Sequence, residues 1–152
     1  MLRRLGHSAG ALVLAVALTA LSGAGYAQGP ILELNAGIHV IRAEVANTPQ
    51  VRAQGLMHRD RLGPNQGMLF VFPDLERPCM WMKNTLIPLS VAFLDEKGAI
   101  INVEDMAPLT ETSHCAKAPA RFALEMGLGW FKAHGALPRS RIQGVEHAGE
   151  PQ

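Results

Sequence analysis

From Ile31 onward the chain is a succession of short apolar runs closed by turn residues, a pattern that favours a sheet over long helices. Ile31–Leu34 and Ile38–Ala46 read as strands around a turn at Asn35–Gly37. In the second, Ile41, Ala43 and Val45 alternate with Arg42 and Glu44, as on a strand with one buried face. Gly67–Phe72, ending at Pro73, reads as a central strand. Met80–Thr85, Leu89–Leu94 and Ala99–Val103 follow as strands, the last two joined by a hairpin turn at Asp95–Gly98. Ala120–Met126 alternates Phe122, Leu124 and Met126 with Arg121 and Glu125, which predicts a strand with a wet face. Arg141–Val145 is a weak last strand, and residues 146–152 read as a frayed tail. Two short helices interrupt the series. One starts at Thr48 as N-cap with Pro49 at its first position and ends at Gly55; the other runs from Gly127 to His134. The expected fold is mostly β (α+β), a compact single-domain β-sandwich or barrel-like structure.

Residues 1–27 have a different purpose. Arg3 and Arg4 precede the apolar run Ala11–Leu18, and Gly25 and Ala27 occupy the small positions before a cleavage site. The apolar run falls short of the ~20 residues that cross a bilayer. The reading is a cleaved Sec-type signal peptide and a periplasmic, secreted domain spanning residues 28–152. Without Arg3 and Arg4 the domain carries 12 basic and 13 acidic residues, a net charge of −1. That balance supplies no basic face for nucleic acid. No later run of apolar residues has the length of a membrane span.

The two cysteines, Cys79 and Cys115, both belong to the secreted part. In an oxidising compartment a lone pair is most simply a structural disulfide, and the Cys-x-x-Cys spacing of a redox pair is absent. The bond would also tie down residues 107–119, a long polar loop with two prolines.

Chemistry concentrates in Cys79-Met-Trp-Met-Lys-Asn-Thr-Leu-Ile-Pro-Leu89. A core strand has no need of Lys83 and Asn84, because burying an unpaired ammonium costs several kcal/mol. This segment, together with Arg52-Ala-Gln-Gly-Leu-Met57 and Gly67-Met-Leu-Phe-Val-Phe72, resembles the domain of unknown function 192 family over residues 31–145. The resemblance implies a compact, mostly β fold and no agreed activity. It also groups tryptophan, lysine and asparagine at Trp81, Lys83 and Asn84, and puts an arginine at Arg52. If residues 79–84 are extended, Trp81 and Lys83 share one face and Met80 and Met82 the other. An indole beside an ammonium suits a ligand with an apolar or sugar-like surface and an anionic group. The candidate ligand-binding residues are therefore Arg52, Met57, Trp81, Lys83, Asn84 and Glu125.

Arg52 and Arg59 flank the Gly55–Met57 corner, where a guanidinium can clamp an anion; Arg59 has an ion pair with Glu44 or Asp60 as its competing reading. Glu125 can pair with Lys83 or Arg52, or act as a general acid if its pKa is raised and a second carboxylate lies near. The expected function is a binding or accessory module for a small molecule or envelope component, with no cofactor and no metal. One alternative is an enzyme acting on cell-envelope carbohydrate or peptide. The other is a copper-handling protein using Met80, Met82 and His114, although alternating methionines also serve as core filler. Hydrolase elbows, phosphate loops and zinc-ligand spacings are absent from the sequence.

Overall fold

A computed structural model describes residues 29–152; the expected signal peptide and its cleavage point lie outside the described residues. Nine strands form among them: β1 (Ile31–Ala36), β2 (His39–Ala46), β3 (Gln66–Glu76), β4 (Cys79–Met80), β5 (Leu89–Leu94), β6 (Ile100–Met106), β7 (His114–Cys115), β8 (Ala120–Gly127) and β9 (Ile142–Gln143). Two short helices, α1 (Pro49–Gln54) and α2 (Trp130–Ala133), and a 3-10 turn at Val145–His147 complete the fold. The structure is mostly β, as the short apolar runs require.

Seven strands make one sheet in the order β6-β5-β8-β3-β2-β1-β9, and β4 pairs with β7 in a separate ribbon. The β2–β3 pairing is parallel and the other strand pairs are antiparallel. The large sheet curls into a half-barrel. Its far edges meet where Ala99 bridges Arg141, with Ile100 N donating to Ser140 O (2.8 Å) and Ile142 N to Gly98 O (2.9 Å). Curling removes part of the unpaired edge that an open sheet would expose.

Side-chain alternation then separates two apolar layers. Inside the curl lie Leu34, Ile41, Leu69, Leu94 and Leu124, sealed by Trp130 and Phe131 of α2. The outer face carries Met68, Phe70, Val91, Phe93 and Ala123 under Leu56, Met82 and Ala116. β8 lies between β3 and β5 and is covered on both faces.

Three sequence expectations change. β3 continues past Pro73 through a register shift between Val71 and Glu76, because the irregularity absorbs the missing ladder donor. Met80–Thr85 is not a strand: pairing stops after Met80 and the chain turns. Residues 146–152 are not frayed. Ala148 is buried, Gln152 N donates to Asn47 O (2.7 Å), and Gln152 O accepts from Arg52 Nη2 (3.1 Å).

Candidate functional site

The outer face is roofed by two segments, and each is held by backbone geometry. The first follows α1. Thr48 caps the helix by accepting from Val51 N (3.2 Å), and Pro49 fills the first turn, where its missing N–H costs nothing. Gly55 ends the helix at φ 50°, and a Cβ there would lie 3.2 Å from Phe70 Cζ. The position demands glycine twice over, for the backbone angle and for the close approach. Leu56 then turns into the outer layer, and His58 N donates to Asn84 O (2.9 Å).

That last bond joins the corner to the second segment, a strap formed by residues 79–86 and 107–117. Cys79 and Cys115 face each other across the β4–β7 ribbon and form the expected disulfide. Met82 N donates to Thr110 O (3.0 Å) and Leu109 N to Thr85 O (3.0 Å), so the two halves of the strap stay paired beyond the ribbon. Asn102, buried on β6, secures the strap from below. It donates to Cys115 O (3.2 Å) and accepts from Lys117 N (3.0 Å).

Between corner and strap lies a pocket of about 30 Å³, walled by Arg52, Met57, Phe70, Met80, Trp81 and Thr85, with Glu125 as its only carboxylate. This is room for one or two water-sized groups. Trp81 stands at the pocket 48% exposed, whereas Glu125 is only 3% exposed. Glu125 projects from β8 with Met68 and Val91 opposite it on the neighbouring strands. Gly67 lets β3 approach: a Cβ there would sit 2.3 Å from Glu125 O. Among the described residues no side chain hydrogen-bonds or pairs with the Glu125 carboxyl, and burial alone pushes it up to about 8.

The expected wet face of β8 is therefore corrected. Arg121 alternates with Leu124 as expected, but Glu125 lies beneath the roof, because the strap supplies a second covered side. Arg52, Met57, Trp81 and Glu125 come together around the pocket; Lys83 and Asn84 do not line it. Lys83 points outward, with Nζ 3.6 Å from Glu111 and 5.2 Å from the Trp81 ring centroid. The expected pairing of Glu125 with Lys83 or Arg52 is absent. Asn84 adopts φ 55°, a conformation asparagine tolerates better than most residues, and so it shapes the turn.

Arg52 borders the pocket, yet its guanidinium donates to Asn47 O (2.8 Å), Val71 O (3.1 Å) and Gln152 O (3.1 Å). Those three carbonyls take three of its five N–H donors and fix the guanidinium against the chain. Arg59 makes a two-pronged pair with Glu44, with Nη2 2.6 Å from Oε2. Of the three copper candidates only Met80 lines the pocket. His114 is its cross-strand partner, while Met82 is fully enclosed in the outer layer. Among the described residues no three His, Cys, Asp or Glu side chains gather as metal ligands. Phe70 and Thr85 were not legible as pocket residues: an apolar run and a turn threonine carry no distinguishing signal.

The family profile of DUF192, described as an uncharacterized family (Uncharacterized ACR), matches residues 31–144. The chain belongs to the DUF192 family. No curated protein matches it. Two crystal structures are similar throughout. One, from Sinorhizobium meliloti 1021 and described as a candidate transcription regulator, is 32% identical, with TM-score 0.74 over 80% of this chain and 98% of that one. The other, a protein of unknown function from Novosphingobium aromaticivorans DSM 12444, is 30% identical, with TM-score 0.72 over 86% and 93% of the two chains.

Proposed function

We propose that this DUF192 domain is an exported binding module that receives the end of a small molecule or envelope component in the pocket above Glu125. One observation carries the reading: Glu125, a residue only 3% exposed whose carboxyl has no partner among the described residues, lines a pocket beside a half-exposed tryptophan. Burying an unpartnered acid works against stability, and such costs concentrate where a site has a use for the group. The volume of about 30 Å³ admits only a terminal group. The remainder of a ligand would lie along Trp81, whose broad apolar surface is suited to that contact.

The cysteine bond and the basic, apolar and small-residue succession in residues 1–27 support export to an oxidising compartment. The expected mature start is Gln28, which N-terminal mass analysis of protein from the cell envelope checks. Transcriptional regulation, the description carried by the Sinorhizobium relative, draws no support from a secreted part with 12 basic and 13 acidic residues. Hydrolysis by paired carboxylates has only one carboxylate in the pocket to work with. The test is a panel of small amines, acids, alcohols and sugars, followed through the backbone amide signals of Trp81 and Glu125. At least one class should move both signals in wild type and lose its effect in Trp81→Ala. A panel that moves neither would discard the reading.

A further inference from the structure

We propose that the group this pocket takes is a primary ammonium on an apolar stem, the chemistry shared by an alkylamine and a lysine side chain. The inference rests on the pocket being a binding site and goes further by assigning the charge and size of what enters it.

Charge comes first. An anion would need cationic donors turned towards it, and the nearby ones are largely committed elsewhere. Arg52 gives three of its five N–H donors to carbonyls, Arg59 is paired with Glu44, and Lys83 lies outside the lining beside Glu111. The lining has Glu125 as its one acid and Arg52 as its one base, with Thr85, Phe70, Met57 and Met80 beside them. A carboxylate can accept from an ammonium at short range. The Trp81 ring at the pocket attracts cations through its electron-rich face, and Lys83 already holds an ammonium 5.2 Å from its centroid. Size narrows the choice. About 30 Å³ of enclosed space seats a water-sized –NH3+, whereas the four methyl-sized branches of a quaternary ammonium would have to stand largely outside it.

Entry of the cation changes the protonation of the site. Before binding, Glu125 holds a proton up to about pH 8 because burial disfavours its charge. The incoming ammonium supplies the missing counter-charge, so the carboxylic acid gives its proton to solvent and the carboxylate pairs with the ammonium. Of the elements around Glu125, α1 contributes Arg52, while Met68 and Phe70 of β3, Val91 of β5, and Met80, Trp81 and Thr85 of the strap carry no titrating group in this range. Glu44, beyond Met68 on β2, is held by Arg59. Affinity should therefore rise about tenfold per pH unit towards pH 8 and level off above it, with about one proton released per ligand on the acidic side.

The experiment uses the purified, disulfide-bonded domain and four probes: butylammonium, Nα-acetyl-lysine methylamide, tetramethylammonium and butyrate. Amide shifts at Trp81 and Glu125 report the site, and calorimetry in two buffers of different ionisation enthalpy counts protons. Butylammonium, the capped lysine or both should bind with proton release. Preference for the capped lysine points to a peptide source, preference for butylammonium to a free amine. Glu125→Gln, which keeps the shape of the uncharged acid, should weaken binding at least about tenfold at pH 8, and Lys83→Ala should stay within about threefold. Butyrate or tetramethylammonium binding at these amides while both primary amines are silent would overturn the ammonium assignment and leave the pocket reading intact. Silence from all four probes, with other classes also silent, would overturn both.

Discussion

Leu124 and Glu125 are neighbours on β8 and face opposite sides of the same sheet. The layer that receives Leu124 is assembled from alternate residues of the strands and from α2, and it is apolar apart from Ser90, whose hydroxyl is satisfied by Asp105 and Gly129 N. The layer that receives Glu125 is roofed by a corner and a strap, and it encloses polar groups: Glu125 itself, Thr85 and Asn102. Equal burial thus produces two kinds of interior. One is filled by the sheet and serves stability. The other is covered by a corner and a strap, the strap tied down through Asn102 at Cys115 O and Lys117 N, and it leaves one acid unmatched.

Substitutions on the two faces should separate these interiors, beginning with the largest effect. Leu124→Ala should lower stability by about 3 kcal/mol, equally at pH 5 and pH 9, because it opens a cavity among residues that bury no titrating group. Urea unfolding at both pH values checks this; strong pH dependence would mean that the layers are coupled. Glu125→Gln should do the reverse. The folded-state pKa of Glu125 is raised from 4.5 to about 8, so the folded protein binds more protons than the unfolded chain between those values. Wild-type stability therefore loses the Glu125 contribution as pH rises through about 8 and holds it in full below 4.5. Near pH 5 the variant should be about 1–2 kcal/mol less stable than wild type, because its new amide donors lack partners, and it should overtake wild type as pH rises to 9. A constant difference across pH would show that Glu125 is already ionised, or paired, when folded.

The smallest effect belongs to Lys83→Ala, within about 0.5 kcal/mol of wild type, since its side chain is 47% exposed beside Glu111. Combined with Glu125→Ala its effect should be additive, as the two groups share no contact. Strong coupling in that cycle would restore the buried ion pair that the sequence alone allowed.

The sheet was legible because alternation reports which residues share a face. β5 forms over the run Leu89–Leu94, and Thr48-Pro49 starts α1 as its capping chemistry requires. Glu125 was misread for a physical reason. Alternation shows that a side chain points away from one layer, but it cannot tell water from a second roof built by residues about ten, forty and seventy positions away. Trp81, Lys83 and Asn84 were placed on a strand because composition favoured one, whereas the turn depends on a positive φ at Asn84. The only local cue was asparagine itself. Arg52 and Trp81 were found through the family resemblance, and the carbonyls that engage Arg52 come from three separate places in the chain.

Closing the curl at Ala99 and Arg141 needs β9 already in place beside β1, where Ala36 pairs with Ile142, the first strand against the last. Such a closure cannot be completed until nearly all of the chain has emerged, and its loop entropy must be overcome before the pairing contributes anything. Sheets dominated by distant pairings fold in milliseconds to seconds, where helical bundles need microseconds. If the chain is exported as proposed, that slowness is useful: the polypeptide would remain threadable while it crosses the membrane, and its edges would seal on the side where its cysteines can join.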